Sequence, residues 1–439
     1  MRKDRFNLKL RECARTLSPS PMEQLLVNKI YESFNDLLGI NDCIQIGSYP
    51  RFTAITPIHD LDILYILGQW NENEHSPFAV LKNLFDHIDE NYINPTKFQL
   101  RTSLQTHSVT IAYLDGEEEI FSVDIVPAYS LGRNEFDQDM YKVPEVIKEN
   151  SHKKRNDFYL KIQSEHRDMS WINSDPRGYI KMATEVGKNT DFRKTVKIIK
   201  RWKDNLKNLD ESLKLKSFHL EQVITKLFQQ SSEMCVVDAI FKFFVDLPDI
   251  VNNPNQIKDR AKSDKFIDDY LKKFTSEQKE RIKQARDYFL IKLENLDEKD
   301  DIDFLWSVNL HKRKSFAEEY LFDQKIPIFT DPQYSQFSIS ADITDKIGNV
   351  QRPLNNQGMI DSGRYLKFKR LHRIDGCMYK WKVKNDDSSD QPRGEITDGQ
   401  TMNVPENTKY KGRHYAECYA IKDDVCVARA KQAVVLLQL

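Results

Sequence analysis

Two aspartates one residue apart, heading an otherwise apolar run (Asp60-Leu61-Asp62-Ile63-Leu64-Tyr65), constrain this chain more than any other stretch. Alternate residues of a strand share a face, so a strand here puts both carboxylates on one side and turns Leu61 and Ile63 toward a core. Upstream, Ile46-Gly47-Ser48 closes another short apolar run, and eleven residues, 49–59, separate it from Asp60. Two carboxylates on one face, with no base next to them in sequence, repel each other unless a cation sits between them. Hard oxygen ligands of this kind suit Mg²⁺ or Mn²⁺, which keep positions open for phosphate oxygens. Gly47 has no Cβ, so a triphosphate can approach its backbone, and the Ser48 hydroxyl can donate to a phosphate oxygen. A third acid interrupts the apolar run Phe121-Ser122-Val123-Asp124-Ile125-Val126-Pro127. Asp124 is costly if buried alone and sensible beside the other two. Three carboxylates holding two divalent ions can align a hydroxyl with an α-phosphate and neutralise departing pyrophosphate.

At 439 residues the chain has room for two or three domains. Its 66 Lys+Arg against 67 Asp+Glu exclude a wholesale polyanion coat but leave room for a local basic groove. No apolar run approaches the roughly 18 residues of a membrane span, and Met1-Arg2-Lys3-Asp4-Arg5 opens charged sequence, not a signal core. Six scattered cysteines with no Cys-x-x-Cys pair argue against a zinc cage or a disulfide framework. A cytoplasmic protein without membrane attachment is expected.

Residues 21–38 carry apolar side chains at helix spacing, stopped by Gly39, and 78–87 reads the same way. Short β-branched runs fall at 43–46, 61–67, 108–113 and 120–126. From 144 to 325 the pattern is nearly all helical. Seven of the 14 glycines then fall after residue 340, among period-two runs at 365–369, 379–383 and 414–419. The expectation is an α+β chain with a mixed α/β lobe at 1–143 and a helical lobe at 144–329. The helices before the first strand are allowed to pack on the second lobe. A small all-β, immunoglobulin-like sandwich at 330–439 follows, centred on Trp381 and Cys418.

Gly47-Ser48, the eleven-residue gap, Asp60-x-Asp62 and the distant Asp124 strand resemble the polymerase-β-type nucleotidyltransferases. The wording Gly47-Ser48-Tyr49 … Thr53-Ala54-Ile55 … Asp60-Leu61-Asp62 is similar, more narrowly, to the bacterial relatives of cyclic GMP-AMP synthase, the CD-NTases. Arg193-Lys194-Thr195-Val196-Lys197-Ile198-Ile199-Lys200-Arg201-Trp202 resembles that family's basic helix, and Leu215-Lys216-Ser217-Phe218-His219-Leu220-Glu221 its partner helix. The resemblance implies a bilobal fold, two Mg²⁺ (or Mn²⁺) ions on Asp60, Asp62 and Asp124, and NTP phosphates on Gly47, Ser48, Lys197 and Ser217. Lys200, one turn on, competes with Lys197. It further implies synthesis of a cyclic di- or oligonucleotide in anti-phage defence, with a separately encoded effector that binds the product. A linear product, transfer to an RNA or protein acceptor, and a sensor that only binds nucleotide are the alternatives. Tyr379-Lys380-Trp381-Lys382-Val383-Lys384-Asn385, Arg393-Gly394-Glu395 and Lys411–Tyr419 resemble the adenylyl/guanylyl-and-SMODS sensor domain appended to such synthases. A nucleotide or nucleic acid is the ligand considered for it.

Other features read more plainly. Tyr49 is a candidate for stacking on a base, with core packing as the competing role. His59 should point away from the acids. The run Arg364–Arg373 interleaves basic and aromatic residues, as a nucleic-acid face or a solvated strand would. The final residues, Ala433–Leu439, read as a packed strand, which argues against conjugation through a flexible tail.

Overall fold

The computed structural model describes residues 2–71, 76–105, 107–145, 170–262, 264–296, 306–355, 357–399 and 404–437. The parts of the expected helical run at 146–169 and 297–305, and the last two residues of the expected terminal strand, lie outside them.

A seven-stranded mixed sheet carries the acids. Its strands are β1 (Cys43–Ile46), β2 (Asp60–Gln69), β3 (Gln99–Leu104), β4 (Val109–Asp115), β5 (Glu118–Arg133), β6 (Asp139–Glu145) and β7 (Ser170–Ser174). The order is β1-β2-β5-β4-β3, with β6 joining β5 to β7. Only β2 and β5 run parallel, and their register sets Asp60 beside Ser122 and Asp62 beside Asp124. Leu61, Ile63, Val123 and Ile125 point to the other face. There they pack on α2 (Pro21–Leu38) and α3 (Pro77–Asn91) through Val27, Ile30, Phe34, Leu81 and Leu84. The strand alternation that fills this core is what throws the carboxylates to the opposite side.

The helical lobe gathers α1 (Arg2–Thr16), α4 (Pro176–Val186), α5 (Asp191–Leu209), α6 (Ser217–Gln230), α7 (Val236–Asn252) and α8 (Ser276–Asn295). Phe6, Leu10 and Leu17 of the first helix and its linker enter this lobe's core beside Phe192, Trp202, Phe243 and Phe289. Thus α1 packs on the second lobe while α2 stays with the first.

The last domain is a two-sheet sandwich of β8 (Ile339–Thr344), β9 (Val350–Pro353), β10 (Met359–Asp361), β11 (Tyr365–Arg370), β12 (Met378–Lys384), β13 (Arg393–Thr397), β14 (Glu406–Asn407), β15 (Gly412–Lys422) and β16 (Val425–Leu437). One sheet runs β10-β16-β15-β12-β13 and the other β14-β11-β8-β9. Trp381 faces Cys418 across β12 and β15, both fully buried in the inter-sheet core. The fold class is therefore the expected α+β one, with a β sandwich at the end.

This sandwich is tied to α8. Arg286 Nη1 donates to Asp287 at 2.6 Å. Arg313 donates to Asp287 at 2.8 Å and forks onto both oxygens of Asp323 at 2.8 and 2.9 Å. Phe322 and Phe329 reach into the helical core, and Arg429 of β16 donates to Asn295 at the end of α8.

Candidate active site

The eleven residues between Gly47-Ser48 and Asp60 form a loop pinned from three sides. Glu23 of α2, the N3 partner in a capping box with Ser20, accepts from the Thr56 hydroxyl and the Ile58 amide. Arg201 of α5 donates to the Thr56 carbonyl at 2.6 Å. The third anchor is a buried cluster: Glu221 of α6 accepts from Arg51 Nε at 2.5 Å, from the Thr53 hydroxyl at 2.9 Å, and pairs with Lys200 Nζ at 3.1 Å. Lys200 also donates to the Thr53 carbonyl at 3.0 Å. All four side chains belong to buried residues. Burial pushes the Glu221 carboxyl up, but Lys200 and Arg51 more than offset it and take it to about 2. This cluster couples the two lobes, and no local pattern in the sequence announced it.

The loop seats Gly47 against Asp62. Gly47 lies at φ 75°, and a Cβ there would collide with the Asp62 carboxylate. The space that glycine leaves open is thus taken up by a site carboxylate, where the sequence suggested an approaching triphosphate. Burial, then the charges of Asp60 and Asp124, raise the Asp62 carboxyl to about 7, opposed by Arg51 and Lys200. Burial also raises Asp124, opposed by its hydrogen bond from Thr110, and Asp60 raises it further. The Thr110 hydroxyl donates to Asp124 Oδ1, and Ser108 adds a second contact at 3.3 Å. Asp60, at the strand's start, is exposed. Among the described residues no three side chains converge on a ready-made metal cage, since Asp124 is turned to the two hydroxyls. The donor set nonetheless fits a hard divalent cation: three carboxylates on one face, two of them adjacent in register and mutually repelling.

Asp62 and Asp124 open onto a cavity of about 830 Å³ walled by Thr102, Ser103, Ser108, Thr110 and Ser122. Its size and hydroxyl lining suit a nucleotide-scale polar molecule.

The basic helix brings Ser217 to a lysine that the sequence reading did not single out. Lys197 does not meet Ser217: its Nζ donates to Ser18 at 2.8 Å, and burial with neighbouring Arg193, Lys200 and Lys194 lowers it to about 8. Lys200 falls on the buried stripe of α5 and is consumed by Glu221. The residue that meets Ser217 is Lys203, whose Nζ donates to the Ser217 hydroxyl at 2.8 Å and pairs with Asp204. Ser217 opens α6, so a lysine, a hydroxyl and a helix N-terminus stand together. With cations at 193, 194, 197, 200, 201, 203 and 207, the sequence offered nothing to single out Lys203.

Tyr49 packs against the hydrophobic cluster of the α/β lobe, the role of a core aromatic. His59 is exposed, and its carbonyl accepts from the Ser122 amide. In the basic run of β11, Lys369 pairs with Asp342 and Arg370 lies 3.8 Å over the Tyr379 ring. Both are thereby engaged within the domain.

Residues 313–437 match the family described as the adenylyl/guanylyl and SMODS C-terminal sensor domain. The match begins upstream of the expected boundary at 330 and takes in Arg313 and Asp323, so the anchors on α8 are part of the sensor domain itself. Among solved structures, the chain is similar to CdnC of E. coli MS115-1 with ATP, at 16% identity over 68% of this chain and 96% of that one (TM-score 0.48). It is similar also to the same CdnC in complex with HORMA-deltaN, at 14% over 67% and 93% (TM-score 0.46). A third is the Bradyrhizobium diazoefficiens CD-NTase CdnG with GTP, at 10% over 69% and 96% (TM-score 0.46). No curated protein matches. The sensor-domain part of the family resemblance drawn from the sequence is met by the match over residues 313–437. Among the described residues no helix is long and apolar enough to cross a membrane.

Proposed function

We propose that the chain is a metal-dependent nucleotidyltransferase of the CD-NTase type that joins NTPs into a cyclic di- or oligonucleotide. The observation that carries this reading is the register of β2 on β5, which sets Asp62 beside Asp124, with Asp60 on the same face and Gly47 fitted against Asp62. Asp60, Asp62 and Asp124 would hold two Mg²⁺ or Mn²⁺ ions, which supply Lewis-acid polarisation of the α-phosphate and neutralise the leaving pyrophosphate. Ser48 and the opening turn of α6 would supply donors to phosphate oxygens. Lys203 and Ser217 hold the triphosphate between them, with the α6 N-terminus favouring its charge. A ribose hydroxyl of one nucleotide then attacks the α-phosphorus of another. An O–P bond forms, the bond to the β-phosphate oxygen breaks, and pyrophosphate leaves. Asp124, which accepts from Thr110 and Ser108, would take the hydroxyl proton. A second, intramolecular transfer closes the ring. Cytoplasmic action in anti-phage signalling, with a separate effector reading the product and the sensor domain binding a nucleotide or nucleic acid, completes the proposal.

The test is incubation of the full chain with four labelled NTPs and Mg²⁺ or Mn²⁺, then phosphatase and chromatography, with Asp62→Asn as control. A phosphatase-resistant product absent from the control is expected. A phosphatase-sensitive product would replace the ring by a linear chain, and no pyrophosphate release with either metal would overturn the catalytic reading.

The phosphate assignment has its own check. Lys203→Ala should raise KM for NTP about tenfold or more, as loss of a charged hydrogen bond does. Lys197→Ala should change it less than about threefold. The reverse order would restore Lys197 to the phosphate site.

A further inference from the structure

The turn that carries Ser48 is closed by its own backbone. The Phe52 amide donates to the Tyr49 carbonyl at 2.9 Å and the Thr53 amide to the Ser48 carbonyl at 3.1 Å, with Phe52 at φ 59°. This pair of bonds around one left-handed residue is the pattern that ends a helix. A phenylalanine adopts that conformation at a cost that glycine does not bear. Its ring is 61% exposed, with the Arg193 guanidinium 4.7 Å from its centre, so little burial offsets the cost. A turn of this kind needs a brace from outside.

Thr53 provides one. The residue is fully buried, and its hydroxyl lies 2.9 Å from Glu221 Oε2, 3.3 Å from Lys200 Nζ and 3.3 Å from the Ser48 carbonyl. A hydroxyl has one proton to give and two lone pairs. The carboxylate is the strongest acceptor and takes the proton, Lys200 donates to the oxygen, and the Ser48 carbonyl is left to the Thr53 amide. Lys200 also donates to the Thr53 carbonyl at 3.0 Å. The helical lobe therefore grips Thr53 at its hydroxyl and its carbonyl, while the amide of the same residue holds Ser48. On the other side of the turn, Gly47 is fitted against Asp62. Glu221 follows Ser217 by one helical turn on α6, a spacing that puts the two on one face.

We propose that Thr53 is a positioning residue of the nucleotidyl transfer. Its hydroxyl, held by Glu221, fixes the Ser48 turn relative to the start of α6, so that one triphosphate is bound from both lobes at once. This deepens the reading above and rests on the phosphate roles given there to Ser48 and Ser217. Thr53 touches no substrate and acts only through Ser48.

The experiment compares the full-length wild type with Thr53→Val, which keeps the shape and loses the hydroxyl, and Thr53→Ser, which keeps the hydroxyl. The probe is inorganic tripolyphosphate with Mg²⁺, which carries the phosphates and no base. In Thr53→Val the Phe52 amide should exchange with solvent at least about tenfold faster. The Kd of the probe should rise about tenfold, as loss of one hydrogen bond allows. Thr53→Ser should bring both to within about threefold of the wild type. A change that only lowered stability would reduce the amount of competent protein and leave the Kd where it was. Unchanged exchange in Thr53→Val, an unchanged Kd, or no recovery in Thr53→Ser would each overturn the proposal. If Thr53→Val does not fold, Thr53→Ala, smaller and also without the hydroxyl, is held to the same criteria. A wild type that binds tripolyphosphate but releases no pyrophosphate from any NTP would fail the catalytic reading alone, with exchange and Kd still deciding whether Thr53 sets the turn. A wild type that binds no tripolyphosphate would overturn the phosphate roles and this proposal with them.

Discussion

Glu221→Ala is expected to destabilise the folded protein by about 3–5 kcal/mol, because it strands two buried cations. Arg51 and Lys200 both lie in the interior and share this one carboxylate, so the cluster already carries a surplus positive charge. Removing the carboxylate deletes the one direct ion pair of each cation and leaves both desolvation costs in place. Thr53 loses its acceptor as well. Urea unfolding of the variant, at unchanged dependence on denaturant, should give that loss, and a value under about 1 kcal/mol would show that water or another acid takes over the role. The pH dependence has a definite sign. The Glu221 carboxyl is held at about 2, below its ordinary 4.5. Its stabilisation is therefore full above 4.5 and is lost as pH falls through the window toward 2.

The second large effect belongs to Asp62 and runs the other way. Its carboxyl sits at about 7 against an ordinary 3.8. Between these values the folded protein holds a proton that the unfolded chain has released, so metal-free stability falls as pH rises through the window and levels off above it. Three units at about 1.4 kcal/mol each set an upper bound of roughly 4 kcal/mol on that fall. Asp62→Asn should remove the larger part of the decline, leaving only what the raised Asp124 carboxyl contributes, and give a metal-free protein more stable at pH 8 than the wild type. Mg²⁺ should raise the melting temperature of the wild type more at pH 8 than at pH 6, since it competes with the proton, and should raise that of Asp62→Asn little at either pH. A pH-independent Mg²⁺ effect would remove Asp62 from the metal ligands.

What the sequence disclosed was whatever is written locally. Cys43–Ile46 and Pro21–Leu38 match the expected strand and helix because short apolar periodicity and a glycine stop are local signals. The same holds for the acids, whose spacing on two apolar strands needs no knowledge of the fold. The strand Gln99–Leu104 escaped, being short, half-buried at most, and marked on its core side only by Leu100 and Leu104. Lys203 escaped for a different reason: seven cations on one helix are equivalent until the start of another helix chooses among them. The Arg51–Lys200–Glu221 cluster brings together residues up to 170 positions apart, a distance at which only the folded chain holds the information.

The joint between α8 and the sensor domain bears on how this protein can be cut and how it can signal. Separate domains in one chain usually retain relative freedom unless their contact is large and apolar. Here Arg313 grips Asp287 on one side and both oxygens of Asp323 on the other, while Phe322 and Phe329 are shared with the helical core. That is a weld, not a swivel. Trimming the chain at residue 330 would tear away the partner of Ile328 and Phe329, the β16 residue Cys426, and would unsettle the remaining lobes along with the lost sandwich. The same contacts give a bound ligand leverage: a tilt it imposes on the sandwich is passed to α8 through Arg313 on Asp287 and Arg429 on Asn295.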